Sequence, residues 1–70
     1  MIVDYYREHR IDVNAIRAGD RWNAAVRIRH TSANAKPHVE QVTNYKLTAD
    51  HAERSALIWA QQLIDSRAQD

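Results

Sequence analysis

Residues 47–67, LTADHAERSALIWAQQLIDSR, decide the fold of this chain. At about 100° per residue, the helical period gathers the apolar side chains of this segment on one broad side. The polar side chains, Gln61 and Asp65 among them, point away. We therefore predict an amphipathic helix over residues 49–67, which must lie on another layer of the protein. The apolar side consists of Ala49, Ala52, Ala56, Trp59, Ala60, Leu63 and Ile64.

Thr48 precedes this helix at the position of a capping residue. Its hydroxyl can accept a hydrogen bond from a free amide of the first turn, and the carboxylate of Asp50 suits the positive end of the helix. Arg67 suits the last turn for the opposite reason. These three residues predict where the helix begins and ends.

Two segments before the helix alternate between apolar and polar residues, which is typical of half-buried strands. They are residues 10–17 and residues 21–30, and Gly19 lies in the turn between them. The apolar positions are odd-numbered in the first segment and even-numbered in the second, so a two- or four-residue connection allows them to pair. The residues that we expect to lie near each other are Ile11 and Val13 with Val26 and Ala24.

A third strand over residues 38–45 is less regular, because Val39 and Val42 are out of phase for strict alternation. A bulge near residues 40–41 would turn both valines inward. Without a bulge, either Val42 or the pair Val39 and Tyr45 faces outward.

Residues 2–9, IVDYYREH, favour extended structure by their composition but lack clean alternation. We interpret them as a lead-in to the first strand, with Tyr5 and Tyr6 packed on the helix or on the edge of the sheet. We expect both rings to be aromatic anchors rather than stacking partners for a ligand.

The predicted order is β-β-β-α, a single α+β domain of residues 1–70 in which a three-stranded antiparallel meander carries the C-terminal helix on one face. Alanine side chains let the helix approach the sheet closely. A chain of 70 residues buries about 60% of its unfolded surface, so its core is thin. Residues 31–37 form the longest connection, which we expect to be the most mobile segment.

The chain has no cysteine, so it forms neither a disulfide nor a thiolate metal site. Its first residues carry Asp4 and no long apolar run, a pattern typical of neither a signal peptide nor a membrane span. We therefore expect a cytoplasmic protein that does not contact membranes. Residues 1–46 carry eight basic and five acidic side chains, whereas residues 47–70 carry two and four, so the strand half is the more basic.

No motif in the chain predicts catalysis, a cofactor or a metal. The serines lie outside any nucleophile-elbow pattern. His30 and His38 flank the last hairpin and would meet across it, but two ligands do not make a metal site. We expect Glu53 to pair with an arginine of the sheet, with its carboxylate in water. A sheet of this size offers little room for a pocket of about 300 Å³, so we predict a protein that is not an enzyme.

The sheet face turned away from the helix is the best candidate for a nucleic-acid surface. Arg27 and Arg29 project together from the central strand, with Arg10 beside them. Arginines on an antiparallel sheet can lie in the DNA major groove and read guanine bidentately. Asp12 and Glu40 can lie on the same face and pair with them, so a charge-balanced surface is the first interpretation and nucleic-acid binding the alternative. The amides that we expect on this face are Asn14 and Asn23.

Ile58 lies opposite the apolar stripe of the helix, at about 180° on the helical wheel. Together with an outward Val42 or Tyr45, it marks a subunit contact. Because the core is thin and these apolar residues are not needed in it, we expect a protein-association module that binds a protein partner or forms a homodimer.

Residues 5–64 resemble a set of small bacterial proteins without an assigned function. The shared segments are RWNAAVRIR at residues 21–29, TADHAE at residues 48–53 and WA at residues 59–60. The layout is also similar to the plant ethylene-response-factor DNA-binding domain, a three-stranded sheet that reads DNA through arginines and tryptophans, although Glu8 replaces a glycine of that domain. The resemblance implies a β-β-β-α fold, and because a fold does not carry a function, it leaves DNA binding as the alternative. The matching DNA-reading positions are Arg7, Arg10, Arg21, Arg27 and Arg29.

Overall fold

The computed structural model describes residues 1–32 and 36–68, so residues 33–35 of the 31–37 connection, which we expect to be mobile, lie outside the described residues. The described elements are β1 (Ile2–Tyr6), β2 (His9–Ala18), β3 (Arg21–His30), β4 (His38–Lys46) and α1 (Ala49–Ala68). The strands form one antiparallel sheet in the order β1-β2-β3-β4. The α+β class and the C-terminal helix are confirmed, but the sheet has four strands and not three.

The additional strand is β1, which pairs with β2 from Ile2 opposite Val13 to Tyr6 opposite His9. Its side chains do alternate, since Val3 and Tyr5 are exposed while their neighbours are half-buried. One inward residue is Asp4, an acid, and this residue obscures the apolar pattern in the sequence. Residues 2–6 of the predicted lead-in are therefore a true edge strand, while Arg7 and Glu8 form a turn and His9 begins β2.

Polar contacts attach β1 to α1. Gln61 Nε2 donates to Asp4 Oδ2 at 3.1 Å, and the Tyr6 hydroxyl lies 2.9 Å from both carboxylate oxygens of Asp65. Arg7 Nε lies 3.2 Å from Asp65 Oδ1. The prediction that Gln61 and Asp65 point away from the buried side is therefore wrong, because both face β1.

The β2–β3 hairpin turns at Gly19, whose φ is +66°. Its two-residue connection pairs odd positions of β2 with even positions of β3, as the alternation predicts. Val13 lies opposite Val26, whereas Ile11 lies opposite Ile28, two residues further along than the positions that we expected for it.

In β4, Val42 faces the core while Val39 and Tyr45 are 67% and 59% exposed. This is one of the two arrangements expected for a strand without a bulge at residues 40–41. A register shift does occur nearer the helix, where successive pairs are Trp22 with Lys46 and Ala24 with Val42.

Asn23 fills this register shift. It is 4% exposed, and its Oδ1 accepts a hydrogen bond from the amide of Tyr45 at 3.0 Å. The backbone at Tyr45 is left-handed there, with φ at +46°. The expectation that Asn23 offers a hydrogen-bonding group on a functional surface is wrong, because this side chain is used within the fold.

The helix packs on the sheet through its alanines, as predicted. Ala52, Ala56 and Ala60 are fully buried, and Ile64 is 4% exposed. Thr48 Oγ1 accepts a hydrogen bond from the amide of His51 at 3.1 Å, so the predicted helix cap is confirmed. The sheet residues buried in the same cluster are Ile11, Val13, Ala24, Val26 and Ile28.

Glu53 is 8% exposed and contacts no arginine of the sheet, contrary to the prediction. Its Oε2 accepts a hydrogen bond from the amide of Ala15 at 3.0 Å and lies 2.8 Å from the amino group of Met1. The described pairing of β1 with β2 ends at Val13, so Ala15 lies beyond it. The carboxylate of Glu53 supplies the acceptor that the amide of Ala15 needs.

Candidate functional site

The face of the sheet away from α1, here called the outer face, is uncovered by any described element. Alternation along each strand identifies the side chains that it presents. β1 contributes Val3 and Tyr5, which are 44% and 66% exposed. The remaining members are Arg10, Asp12, Asn14 and Ile16 from β2, Arg21, Ala25, Arg27 and Arg29 from β3, and Val39, Gln41, Thr43 and Tyr45 from β4.

The strand register arranges these residues in rows across the sheet. In one row Tyr5 lies opposite Arg10, which lies opposite Arg29. The next row is Val3, Asp12, Arg27 and Val39. The structure thus brings together Arg10, Arg27 and Arg29, the three arginines predicted to form a nucleic-acid surface.

The arginines differ in their partners. Arg10 Nε donates to Asp12 Oδ1 at 3.1 Å, which forms the ion pair that a charge-balanced face requires. Arg27 and Arg29 are exposed and have no ion pair within residues 1–32 and 36–67. Two of the three predicted residues are therefore cations without a carboxylate partner in the described part of the chain.

Glu40, the second expected partner of the arginines, lies on the other face. It pairs with Val26, whose side chain belongs to the core beneath the helix. Its Oε1 lies 3.1 Å from Nε2 of His38 instead. Because Glu40 is absent from the outer face, Asp12 is the one acid among the strand residues that form this face.

A depression of about 310 Å³ lies at the centre of the outer face. The sheet therefore offers more concave space than we expected from its size. The side chains of the outer face that line the depression are Arg10, Asp12, Asn14, Ala25, Arg27 and Val39.

Tyr5 and Tyr6 have opposite roles, although we predicted the same anchoring role for both. Tyr6 is anchored, since it packs against the core and its hydroxyl binds Asp65. That hydrogen bond raises the pKa of the Tyr6 phenol above 10.0, and partial burial and the negative charge of Asp65 act in the same direction. Tyr5 lies on the outer face and has no hydrogen bond within the described segments. The sequence signal that identifies this difference is their adjacency, because neighbouring residues of a strand face opposite sides.

The predicted interface residues lie in different layers. Ile58 is 56% exposed on the solvent side of α1, and Tyr45 belongs to β4 in the sheet. These residues do not come together as a single patch. Tyr45 shares the outer face with the arginines, whereas Ile58 does not.

The histidines are paired differently from the prediction. His30 lies opposite His9, with ring centroids 4.9 Å apart in an edge-to-face arrangement, and His38 lies opposite Ile28. His30 and His38 therefore do not meet across the hairpin. Within the described residues, no group of three or more His, Cys, Asp or Glu side chains is arranged to hold a metal ion.

No described helix has the length and apolarity that crossing a membrane requires. No curated protein and no solved structure is significantly similar to this chain. A family model described as a domain of unknown function, DUF6566, matches residues 2–70. The match extends over all four strands and the helix, and the chain belongs to this family.

Proposed function

We propose that this domain is a non-enzymatic binding module that contacts nucleic acid through the outer face of its sheet. The observation that carries the proposal is the pair Arg27 and Arg29, two exposed cations on a central strand without carboxylate partners among the described residues. Phosphate contacts from arginine supply much of the affinity of proteins for nucleic acid.

The composition of the face supports this choice. Beyond the Arg10–Asp12 ion pair, its strand residues include Arg21, Arg27 and Arg29 and no further acid. A symmetric dimer through the same face would bring these arginines towards their own copies, and like charges in opposition are destabilising. A polyanion meets no such repulsion.

Binding of short labelled oligonucleotides, single-stranded and duplex, tests the proposal by fluorescence anisotropy over a range of salt concentrations. We expect the affinity to fall steeply with salt, and Arg27→Ala to lower the slope of log K against log salt by about one. Arg54→Ala is the matched control, because Arg54 is an exposed helix residue paired with Asp50 at 3.0 Å. Absence of binding at low salt would overturn the proposal.

Protein association is the second candidate function. It is favoured by Val39 and Tyr45, large exposed apolar residues on β4, which is an edge strand in the described sheet order. An open edge can pair with another strand, and a homodimer is its simplest form. The exposed Ile58 offers a second apolar surface for association, on the helix.

Sedimentation equilibrium at increasing protein concentration tests the association. Tyr45→Asn removes the aromatic ring and suits the left-handed backbone at this position, so it should weaken a dimer without unfolding the domain. Ile58→Ser tests the helix surface in the same way. A strict monomer at high concentration would exclude the homodimer.

A further inference from the structure

The described strand order makes the outer face four strands wide. With strands about 4.8 Å apart, the axes of β1 and β4 are separated by roughly 14 Å before their side chains are counted. The DNA major groove is about 12 Å wide and admits a helix or a two-stranded ribbon. Arg27 and Arg29 lie on β3, inside this width, so the flanking strands would meet the walls of a groove first.

The residues on the flanking strands fit a different form of nucleic acid. Tyr5 on β1 is 66% exposed, and its row continues through Arg10 to Arg29. Proteins that bind single strands combine a cationic surface for the backbone with aromatic rings on which bases stack. The bases of a duplex are stacked on each other, so an exposed ring such as that of Tyr5 suits single strands better than duplexes.

Tyr5 is free to act in this way, whereas its neighbour Tyr6 is not. Tyr6 turns to the helix and binds Asp65, while Tyr5 turns to the outer face and has no hydrogen bond within the described residues. Val3, two positions before it, adds exposed apolar surface on the same strand. The ring is therefore presented in the same row as the unpaired Arg29, with Arg10 between them, and its hydroxyl is not used within the described fold.

We propose that the outer face binds single-stranded nucleic acid, with a base stacked on Tyr5 and the phosphate backbone contacted by Arg27 and Arg29. This inference rests on the proposed nucleic-acid function and adds the form of the ligand and a residue that selects it. It also assigns a ligand-stacking role to Tyr5, in place of the anchoring role predicted from the sequence.

The experiment compares labelled single-stranded RNA, single-stranded DNA and a duplex of the same length, at one low salt concentration. We expect either single strand to bind more tightly than the duplex. Tyr5→Thr removes the ring and keeps a residue that favours strands, and it should weaken single-strand binding by roughly 5- to 150-fold. Tyr5→Phe keeps the ring and should stay within about twofold of the unmodified protein.

The outcomes separate this inference from the proposed function. Equal or tighter duplex binding that still depends on Arg27 would overturn the single-strand inference and leave the nucleic-acid function standing. Single-strand binding unchanged in Tyr5→Thr would overturn the stacking role. Absence of binding to all three oligonucleotides would overturn both proposals.

Polyglutamate serves as a further ligand, because an acidic protein is the other polyanion that such a face can attract. Polyglutamate that binds as tightly as the single strands, with no effect of Tyr5→Thr, would assign the face to acidic protein partners and overturn the inference. A thermal melt of each variant by circular dichroism shows whether it is folded. If Tyr5→Thr is unfolded, Tyr5→Leu replaces it in the comparison, since leucine keeps the apolar bulk without an aromatic face.

Discussion

The hydroxyl of Tyr6 donates a hydrogen bond to the carboxylate of Asp65, 2.9 Å away and 59 residues later in the chain. This contact joins the first strand to the last turns of the helix, so it connects the first and last elements of the described fold. Two further contacts act at the same boundary, one between Asp4 and Gln61 and one between Arg7 and Asp65. These polar contacts add to the backbone pairing of β1 with β2 and to the packing of Ile2 and Tyr6 against the core.

Tyr6→Phe should lower stability at neutral pH, because it removes the donor and leaves Asp65 with one partner fewer. The pKa of the Tyr6 phenol is raised above 10.0 by its hydrogen bond to Asp65. The stabilisation is therefore complete below pH 10.0 and is lost as pH rises through the higher pKa of the folded state.

Urea unfolding from about pH 8 to about pH 11.5 measures this effect. The difference in stability between the unmodified protein and Tyr6→Phe should shrink towards the alkaline end of the range. Tyr5→Phe is the control, since the Tyr5 hydroxyl has no hydrogen bond among the described residues, and it should leave neutral-pH stability unchanged. A stability difference for Tyr6→Phe that stays constant over the whole range would contradict the prediction.

Glu53→Ala should destabilise the domain by about 1–3 kcal/mol, because the amide of Ala15 loses the acceptor that it has 3.0 Å away. Glu53→Gln keeps an amide oxygen at the same place and should cost less. Chemical denaturation of both variants measures the difference. Arg54→Ala is the comparison for an exposed ion pair and should change stability by no more than about 0.5 kcal/mol. Equal losses in the two Glu53 variants would show that the hydrogen bond to Ala15 is not what matters.

Glu8→Gly should stabilise the domain by about 0.5–1 kcal/mol. Glu8 has a φ of +64°, a left-handed conformation that costs a non-glycine residue about 1–2 kcal/mol, part of which is offset by the greater freedom of glycine in the unfolded chain. Thermal unfolding measures the gain.

Gly19→Ala tests the reverse change, from glycine to a residue with a Cβ, at a position with almost the same φ, +66°. An added Cβ there would meet no atom within 4 Å. It should destabilise by about 1 kcal/mol through the backbone alone. Changes of the same sign in the two variants would contradict this explanation.

Ala56→Leu should destabilise the domain by about 1–3 kcal/mol, because Ala56 is fully buried between helix and sheet and a larger side chain must push the two layers apart. Gln62→Leu places the same side chain on the exposed side of the same helix and should have little effect. Unfolding midpoints of the two variants provide the comparison. A stable Ala56→Leu variant would mean that the helix does not need its alanines to approach the sheet.

Much of the fold follows from local patterns. The helix, its Thr48 cap and its alanine face are confirmed, because the helical period and the capping chemistry are properties of neighbouring residues. The β2–β3 hairpin is confirmed for the same reason, with the parity of its register following from a two-residue turn at Gly19. Expectations failed where a polar side chain has a distant partner, as Asp4 does in Gln61 and Asn23 in the amide of Tyr45.

In the candidate site, too, some features follow from local patterns and others do not. Alternation along β3 predicts from sequence that Arg27 and Arg29 share a face, because side chains two residues apart in a strand lie on the same side. The Arg10–Asp12 ion pair is local in the same sense, since the two residues lie two positions apart in β2. The position of Glu40 became clear only from the pairing of β4 with β3, which places Glu40 opposite Val26 and away from the arginines.

By itself, the sequence determined the helix, its buried stripe, the central hairpin and the shared face of Arg27 and Arg29. The tertiary structure decided which side of residues 2–6 turns inward, because that side is defined by contacts with helix residues almost sixty positions away. β1 itself pairs with β2 in a local hairpin, in which Tyr6 lies opposite His9 and Tyr5 opposite Arg10. The helix contacts turn Tyr6 inward, and alternation along the strand then leaves Tyr5 on the outer face with the arginines.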